Sequence, residues 1–235
     1  MKILALDTAS GLCSAALLLG AEMTTRELVT TRDHAREILP MLQSLLAEAG
    51  IGLTALDAVA FGRGPGSFTG LRIAAGVTQG IAFGAGLPVL PVSDLRALAL
   101  GALEAAGPAA APTRILACLD ARMHEVYAAL YDMPAAGLVA DAVEYVLPPA
   151  SLVAIAEAAG GDRGRWIAAG KGLAAYAQAL VPLGLDPGRQ WPDAEPRARA
   201  IALLGAADFA AGGAQPPEAA VPVYLRDQVA HPPRP

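Results

Sequence analysis

Gly62-Arg63-Gly64-Pro65-Gly66-Ser67-Phe68-Thr69-Gly70-Leu71-Arg72 is the stretch that organises this 235-residue chain. An apolar run, Ala58 to Phe61, leads into it, and Ile73 to Ser93 follows without a charged residue. Three glycines and a proline between Gly62 and Gly66 can extend neither a strand nor a helix, so the backbone must turn tightly there. Ser67 is then placed to cap a helix starting near Phe68. Two readings stay open for this turn. The free amides of the helix start form an anion site, or the segment is simply a close strand-to-helix connection; the lysine-bearing phosphate loop pattern is not met.

The composition narrows the function classes. Hydrophobic residues make up 54% of the chain and aromatics 5%, so alanine, leucine and valine must build the core. With 17 basic against 22 acidic residues the formal charge is -5, which excludes the electrostatic footprint of an autonomous nucleic-acid binder. Contact with RNA would need a partner. Cys13 and Cys118 sit far apart inside apolar runs, fitting buried thiols in a reducing compartment better than a disulfide scaffold or a metal site. The N-terminus lacks the pattern of a secretory signal, so the chain reads as cytoplasmic. Ile73 to Ser93 is long enough to span a bilayer, but Gly76, Gly80, Gly84, Gly86, Pro88 and Pro91 break it into helix, turn and strand, so no membrane segment is expected.

Read in order, the chain begins with β-prone runs at Ile3 to Thr8, Cys13 to Leu19 and Thr25 to Thr30. A helical stretch follows from His34 to Ala49, with Ile38, Leu42, Leu45, Leu46 and Ala49 on one side and Pro40 as a kink or a start of the regular part. Strand 57–61, helix Phe68 to Ala85, strand 87–92 and a helix capped at Ser93-Asp94 complete a βββαβαβα order. The Gly/Pro/Ala stretch from Gly107 to Thr113 marks a boundary between halves 1–106 and 107–235.

The second half echoes the first. Leu6-Asp7 and Ala15-Ala16-Leu17 recur as Leu119-Asp120 and Ala128-Ala129-Leu130, displaced by 113 residues (7 to 120), as in a duplication. Further expected elements are a strand near Tyr145 to Leu147, a helix near 150–159, a strand at 165–168, helices at 173–180 and 198–211, and an edge strand at 221–226 with a disordered end beyond Val229. The last helix could pack back on the first half. The resulting fold class is α/β, a duplicated ribonuclease H-like fold on the actin-like, hexokinase-like and chaperone ATPase (ASKHA) plan, with two βββαβα-type halves. In that superfamily a nucleotide lies between the halves, and Asp7 and Asp120 stand where its metal and phosphates are held.

Set in this plan, Arg63-Gly-Pro-Gly-Ser-Phe-Thr-Gly-Leu-Arg72 resembles the signature of the TsaB (YeaZ) family. Leu4-Ala5-Leu6-Asp7-Thr8, Asp120-Ala-Arg-Met-His-Glu-Val-Tyr127 and Pro222-Val-Tyr-Leu-Arg226 extend the resemblance over nearly the whole chain. The resemblance implies a non-catalytic partner in making threonylcarbamoyladenosine on tRNA. It further implies pairing with a larger catalytic paralogue, TsaD, and recruitment of a small ATPase, TsaE, with tRNA reached only through the complex.

The residues themselves separate scaffold from enzyme. Catalytic relatives need glycines after the first aspartate so that backbone can approach phosphate. Here Asp7 is followed by Thr8-Ala9-Ser10 and Asp120 by Ala121-Arg122-Met123, so side chains crowd both positions. Where the catalytic paralogue carries a His-x-x-x-His metal pair, this chain reads Ser93-Asp94-Leu95-Arg96-Ala97-Leu98. His34, His124 and His231 stand alone, and Ser67 lacks the Gly-x-Ser-x-Gly elbow of a hydrolase. The competing reading is an autonomous ATP-dependent kinase or ATPase of the same fold.

Helix interior glycines cost about 1 kcal/mol each relative to alanine, so Gly76, Gly80 and Gly84 on one face call for a close neighbour. Packing against the chain's own sheet or its first helix is one neighbour; a partner helix is the other. The resemblance places both of these helices at the subunit contact. The expected interface is therefore Arg36, Leu39, Leu42, Leu45, Leu46, Arg72, Gly76 and Gly80, pairing with itself as a homodimer when the paralogue is absent. Asp7, Arg63, Gly64, Gly66, Ser67 and Asp120 form the expected anion- or nucleotide-proximal set. No metal and no cofactor of the chain's own is expected, with ATP or ADP at the contact with the catalytic partner.

Overall fold

The computed structural model describes residues 1–110, 112–133 and 139–226. The expected end beyond Val229 lies outside them. The first sheet is built from β1 (Lys2–Asp7), β2 (Leu12–Leu19), β3 (Glu22–Val29), β4 (Ala58–Gly64) and β5 (Val89–Ser93), in the order β3-β2-β1-β4-β5. The second uses β6 (Arg114–Arg122), β7 (Glu125–Asp132), β8 (Glu144–Leu147), β9 (Ile167–Ala169) and β10 (Gln190–Trp191), in the order β8-β7-β6-β9-β10. Both sheets thus have one strand order: an antiparallel meander joined to two parallel strands. This repeated order is the α/β actin-like plan. The helices are α1 (His34–Ala49), α2 (Phe68–Ala85), α3 (Asp94–Ala106), α4 (Pro149–Ala159), α5 (Gly172–Ala175), α6 (Ala177–Leu180) and α7 (Ala198–Ala210).

Burial follows from composition. β1 and β2 carry continuous apolar runs because both faces of the first sheet are covered. On one face, Leu4, Leu6, Cys13, Leu17, Val59 and Phe61 pack under α1 and α2. On the other, Ile3, Ala5, Ala16 and Ala60 meet α3 and α7, and the same cluster continues into Ile115, Ala117, Ala129, Ile167 and Ala169 of the second sheet. α7 lies against β1, β2, β4 and β5. Alanine and glycine allow this close layering: a Cβ on Gly205 of α7 would come within 2.9 Å of the Ala60 Cβ.

Several sequence expectations need correction. Leu42 and Leu45 are buried in the core together with Ile38, and Leu46 is half-buried against it; of the four interface leucines only Leu39, 44% exposed, faces outward. The i, i+4, i+7 spacing of Ile38, Leu42 and Leu45 puts them on the sheet-facing side of α1. The outer side of that helix carries Arg36, Gln43, Ser44 and Glu48 beside Leu39 and Pro40. Pro40 lies inside a helix assigned without a break from His34 to Ala49.

The repeat also holds with a shift. Leu6 stands opposite Ala15, whereas Leu119 stands opposite Tyr127. β1 and β6 therefore correspond at 113, but β2 and β7 at 112 (15 to 127), and the Ala-Ala-Leu echo is one residue out of register. The helix expected at 173–180 is broken at Tyr176 into α5 and α6. Residues 221–226 form no strand; their ladder reduces to Val223 N–H donating to Arg63 O at 2.7 Å.

Truncating Leu45 to Ala is expected to destabilise the isolated chain by about 2–5 kcal/mol in urea denaturation. A loss below about 0.5 kcal/mol would return this leucine to the surface.

Candidate functional site

The glycine-rich turn fits against the end of β1 and the residues just after it. A Cβ on Gly66 would lie 2.6 Å from Ala9 O, and one on Gly70 would fall on the Thr8 carbonyl oxygen. Thr8 Oγ1 donates to Gly70 O at 2.7 Å, and Ser67 N–H donates to Ala9 O at 2.7 Å. Gly64 has φ +114°, a conformation open to glycine, and precedes a cis Gly64-Pro65 bond. Ser67 Oγ accepts from Gly70 N–H at 3.4 Å, capping α2 as expected. The turn is the close strand-to-helix connection expected, and its residues Gly66, Ser67, Phe68 and Thr69 also line a cleft. Its glycines admit the chain's own backbone.

Arg63 does not offer its charge to an anion. Its guanidinium makes a two-pronged contact with Glu144 on β8, at 3.1 and 3.3 Å, and Glu144 is nearly buried. That cross-sheet pair corrects the expectation of Arg63 in an anion site. It lies 81 positions away in sequence, where no local pattern could have shown it.

The two aspartates have separated roles. Asp120 reaches the surface of a cleft of about 740 Å³, where its Oδ1 accepts from Arg122 N–H at 2.8 Å and Tyr176 Oη at 3.1 Å, and Oδ2 pairs with Arg122 Nη1 at 3.0 Å. The cleft runs from Ser10, Ser67 and Thr69 across to Asp120, Lys171 and Arg226. Asp7 is fully buried instead. Its Oδ1 accepts from Ala9 N–H at 2.8 Å, the same turn that Asp120 makes with Arg122, but its carboxyl lies beside Asp94 and away from the cleft. A Cβ on Gly62 would stand 2.8 Å from Asp7 Oδ1 and collide with Asp94 Oδ1. Asp94, also fully buried, accepts from Gly64 N–H at 2.5 Å through Oδ2. Sequence reasoning treated Asp94 as a helix-start residue only. The Gly62 lacking a side chain was the available signal for a buried group above it.

Burial pushes the Asp7 carboxyl up to about 7, opposed by the Ala9 N–H, the neighbouring Asp94 side chain and the Thr8 backbone, with Glu195 adding to the rise. Asp94 is pushed well above the carboxylate range, first by burial and then by the Asp7 charge. The Asp7 carboxyl does not line the cleft that Asp120 reaches. His34 is a satisfied histidine, its Nε2 3.0 Å from Ser10 O. Among the described residues no group of three or more His, Cys, Asp or Glu side chains is placed to hold a metal, and no helix is long and apolar enough to cross a membrane.

The outer face of α2 is unlike the rest of the surface. Gly76, Gly80 and Gly84 are exposed, and a Cβ added to any of them would meet nothing within 4 Å. Packing on the chain's own sheet or α1 therefore does not account for them. Phe83, on the same face, is 54% exposed. At the start of the helix Arg72 lies 3.7 Å over the Phe68 ring and donates through Nε to Tyr224 Oη at 3.0 Å, while the Phe68 and Tyr224 rings meet tilted by 35° with centroids 5.5 Å apart. The segment carrying Tyr224 reaches the second sheet, where Arg226 pairs with Glu125.

A family model described as TsaD, tRNA N6-adenosine threonylcarbamoyltransferase, matches residues 27–231. The Escherichia coli tRNA threonylcarbamoyladenosine biosynthesis protein TsaB is 40% identical over 234 residues, covering 98% of this chain and 96% of its own. The chain belongs to the TsaB (YeaZ) family. The structure of YeaZ from Pseudomonas aeruginosa matches with a TM-score of 0.84 at 40% identity, over 95% of this chain and 99% of that one. A second structure from that organism, described as an uncharacterized protein with similarity to peptidase YeaZ, matches with a TM-score of 0.84 at 41% identity, over 96% and 99%. These relatives confirm the family that the glycine-rich signature suggested.

Gly70→Ala is expected to lower the stability of the isolated chain by about 2 kcal/mol or more, since neither backbone at the contact can yield cheaply. Equilibrium unfolding of this variant beside the parent measures it; a neutral result would mean that the turn is not held where it lies.

Proposed function

We propose that this chain is a non-catalytic subunit of the machinery that makes threonylcarbamoyladenosine on tRNA, binding and positioning a TsaD-type catalytic paralogue through the outer face of α1 and α2. The observation that carries this reading is the exposed line of Gly76, Gly80 and Gly84. Each weakens the helix by about 1 kcal/mol, and no contact among the described residues offsets it. A partner helix approaching to backbone distance would. Phe83 and Leu39 supply apolar flanks, with Arg36 and Arg72 as polar contacts beside them. Leu42, Leu45 and Leu46 support this face from beneath.

With the paralogue absent, the same surface pairs two copies of the chain about a two-fold axis. A TsaE-type ATPase and tRNA join only through the assembled complex, in keeping with the acidic balance of the chain. Nucleotide belongs at the contact with the catalytic partner, because Thr8 and Ala9 lie against the glycine turn and leave no phosphate cradle above Asp7. The same packing counts against an autonomous kinase or ATPase, and against a peptidase nucleophile at Ser67, whose hydroxyl caps α2. The setting proposed is the cytoplasm.

Gly80→Arg tests the interface. The substitution enters open space on a helix, so the isolated chain is expected to melt at the parental temperature or slightly above it. Affinity for the catalytic paralogue, measured by titration calorimetry, is expected to fall at least about tenfold, together with tRNA modification by the mixture. Full affinity in a folded Gly80→Arg chain would remove this face from the reading, and modification by the chain alone would overturn its non-catalytic role.

A further inference from the structure

Asp7 and Asp94 meet where three parts of the first sheet converge: the end of β1, the Gly62–Gly66 turn and the start of α3. Both carboxyls are fully buried, and Asp7 Oδ2 and Asp94 Oδ1 are sealed from solvent without a hydrogen-bond partner. The remaining oxygens are held by backbone, Asp7 Oδ1 by Ala9 N–H and Asp94 Oδ2 by Gly64 N–H. Two ionised carboxylates in such a place would repel each other in a low dielectric with no cation between them. The charged and titratable groups around them do not remove the problem. Glu195, from the segment before α7, is itself paired with Lys171; Arg63, from the turn, is committed to Glu144; Arg96, on α3, is turned to Asp208 and Val139 O; Cys13, on β2, and Tyr131, on β7 beside Ser93, bring no positive charge.

We propose that Asp7 and Asp94 share a proton and act as a proton-dependent latch that seats the Gly62–Gly66 turn against β1 and α3. Once Asp7 has ionised, near pH 7, Asp94 carries the shared proton and Asp7 accepts it; at lower pH each carboxyl holds a proton of its own. The seated turn in turn fixes the cap of α2 and the Val223–Arg63 contact of the C-terminal segment. This inference stands apart from the partner reading above, since it concerns the isolated chain.

The sign of the pH dependence follows. Both carboxyls hold protons in the folded chain at pH values where they are ionised in the unfolded one, so folding is favoured most below the ordinary aspartate value of 3.8. That contribution declines as pH rises from there through about 7, and further where Asp94 lets go. Asp94→Asn keeps the shape and an N–H donor toward Asp7 while removing one acid.

Thermal unfolding of the parent and of Asp94→Asn at pH 5 and pH 9 is therefore expected to differ in slope. The variant should gain about 3 °C or more on the parent between the two pH values, a shift a merely spatial role would not produce. At pH 9, amide exchange in residues 62–70 should be slower in the variant than in the parent. A pH-independent offset between the two melting curves would overturn the proposal. Should the variant fail to fold, the parent labelled with 13C at the aspartate carboxyls decides: at least one buried carboxyl is expected to titrate above pH 6, and titration of all of them below pH 5 would overturn it.

Discussion

Four missing Cβ atoms, at Gly62, Gly64, Gly66 and Gly70, let one turn of backbone lie against the residues that end β1, against two buried carboxyls and against the C-terminal segment. The start of α2, the burial of Asp7 and the route of residues 221–226 all depend on that contact. Its chemistry is unforgiving, because most of the atoms a side chain would meet there belong to backbone or to buried acids, which have no room to move. Two amides of the turn are engaged within the chain, Ser67 N–H with Ala9 O and Gly70 N–H with Ser67 Oγ, and Thr8 Oγ1 holds the Gly70 carbonyl.

Glycine has two meanings in this chain, and the structure separates them. In the turn, each of the four glycines is required by something already present. Along α2, a Cβ added to Gly76, Gly80 or Gly84 would meet nothing within 4 Å among the described residues, so their small size is not required by any contact seen there. A helix of this composition, with Phe83 exposed among them, is only partly explained by its own fold. The partner reading answers that deficit, and family membership gives it a chemical setting.

Most of the fold was legible in the sequence because its signals are local. The Ser67 and Ser93 caps, the apolar runs of β1 and β2 and the breakers around Gly86 located their elements with little error. The repeat was legible through Leu6-Asp7 and Leu119-Asp120, though a single-residue shift in the next strand was hidden by the uniform alanine. What could not be read depends on distant partners. Arg63 meets Glu144 across the sheets, Asp7 meets Asp94, and the facing of Leu42 and Leu45 is decided by which side of α1 the sheet lies on. Helical spacing defines a stripe on α1 but not what covers it, which is why core leucines were grouped with a surface.

The central claim is that the outer face of α1 and α2 is a contact surface for a catalytic paralogue. Hydroxyl-radical footprinting of the chain, alone and mixed with that paralogue, tests it most directly, because Phe83 and Leu39 are exposed reporters on this face and Val143 and Val181 are exposed reporters far along the chain. The account predicts strong protection of Phe83 and Leu39 in the mixture with Val143 and Val181 unchanged. Phe83 oxidised equally in both samples, while another surface becomes protected, would contradict it.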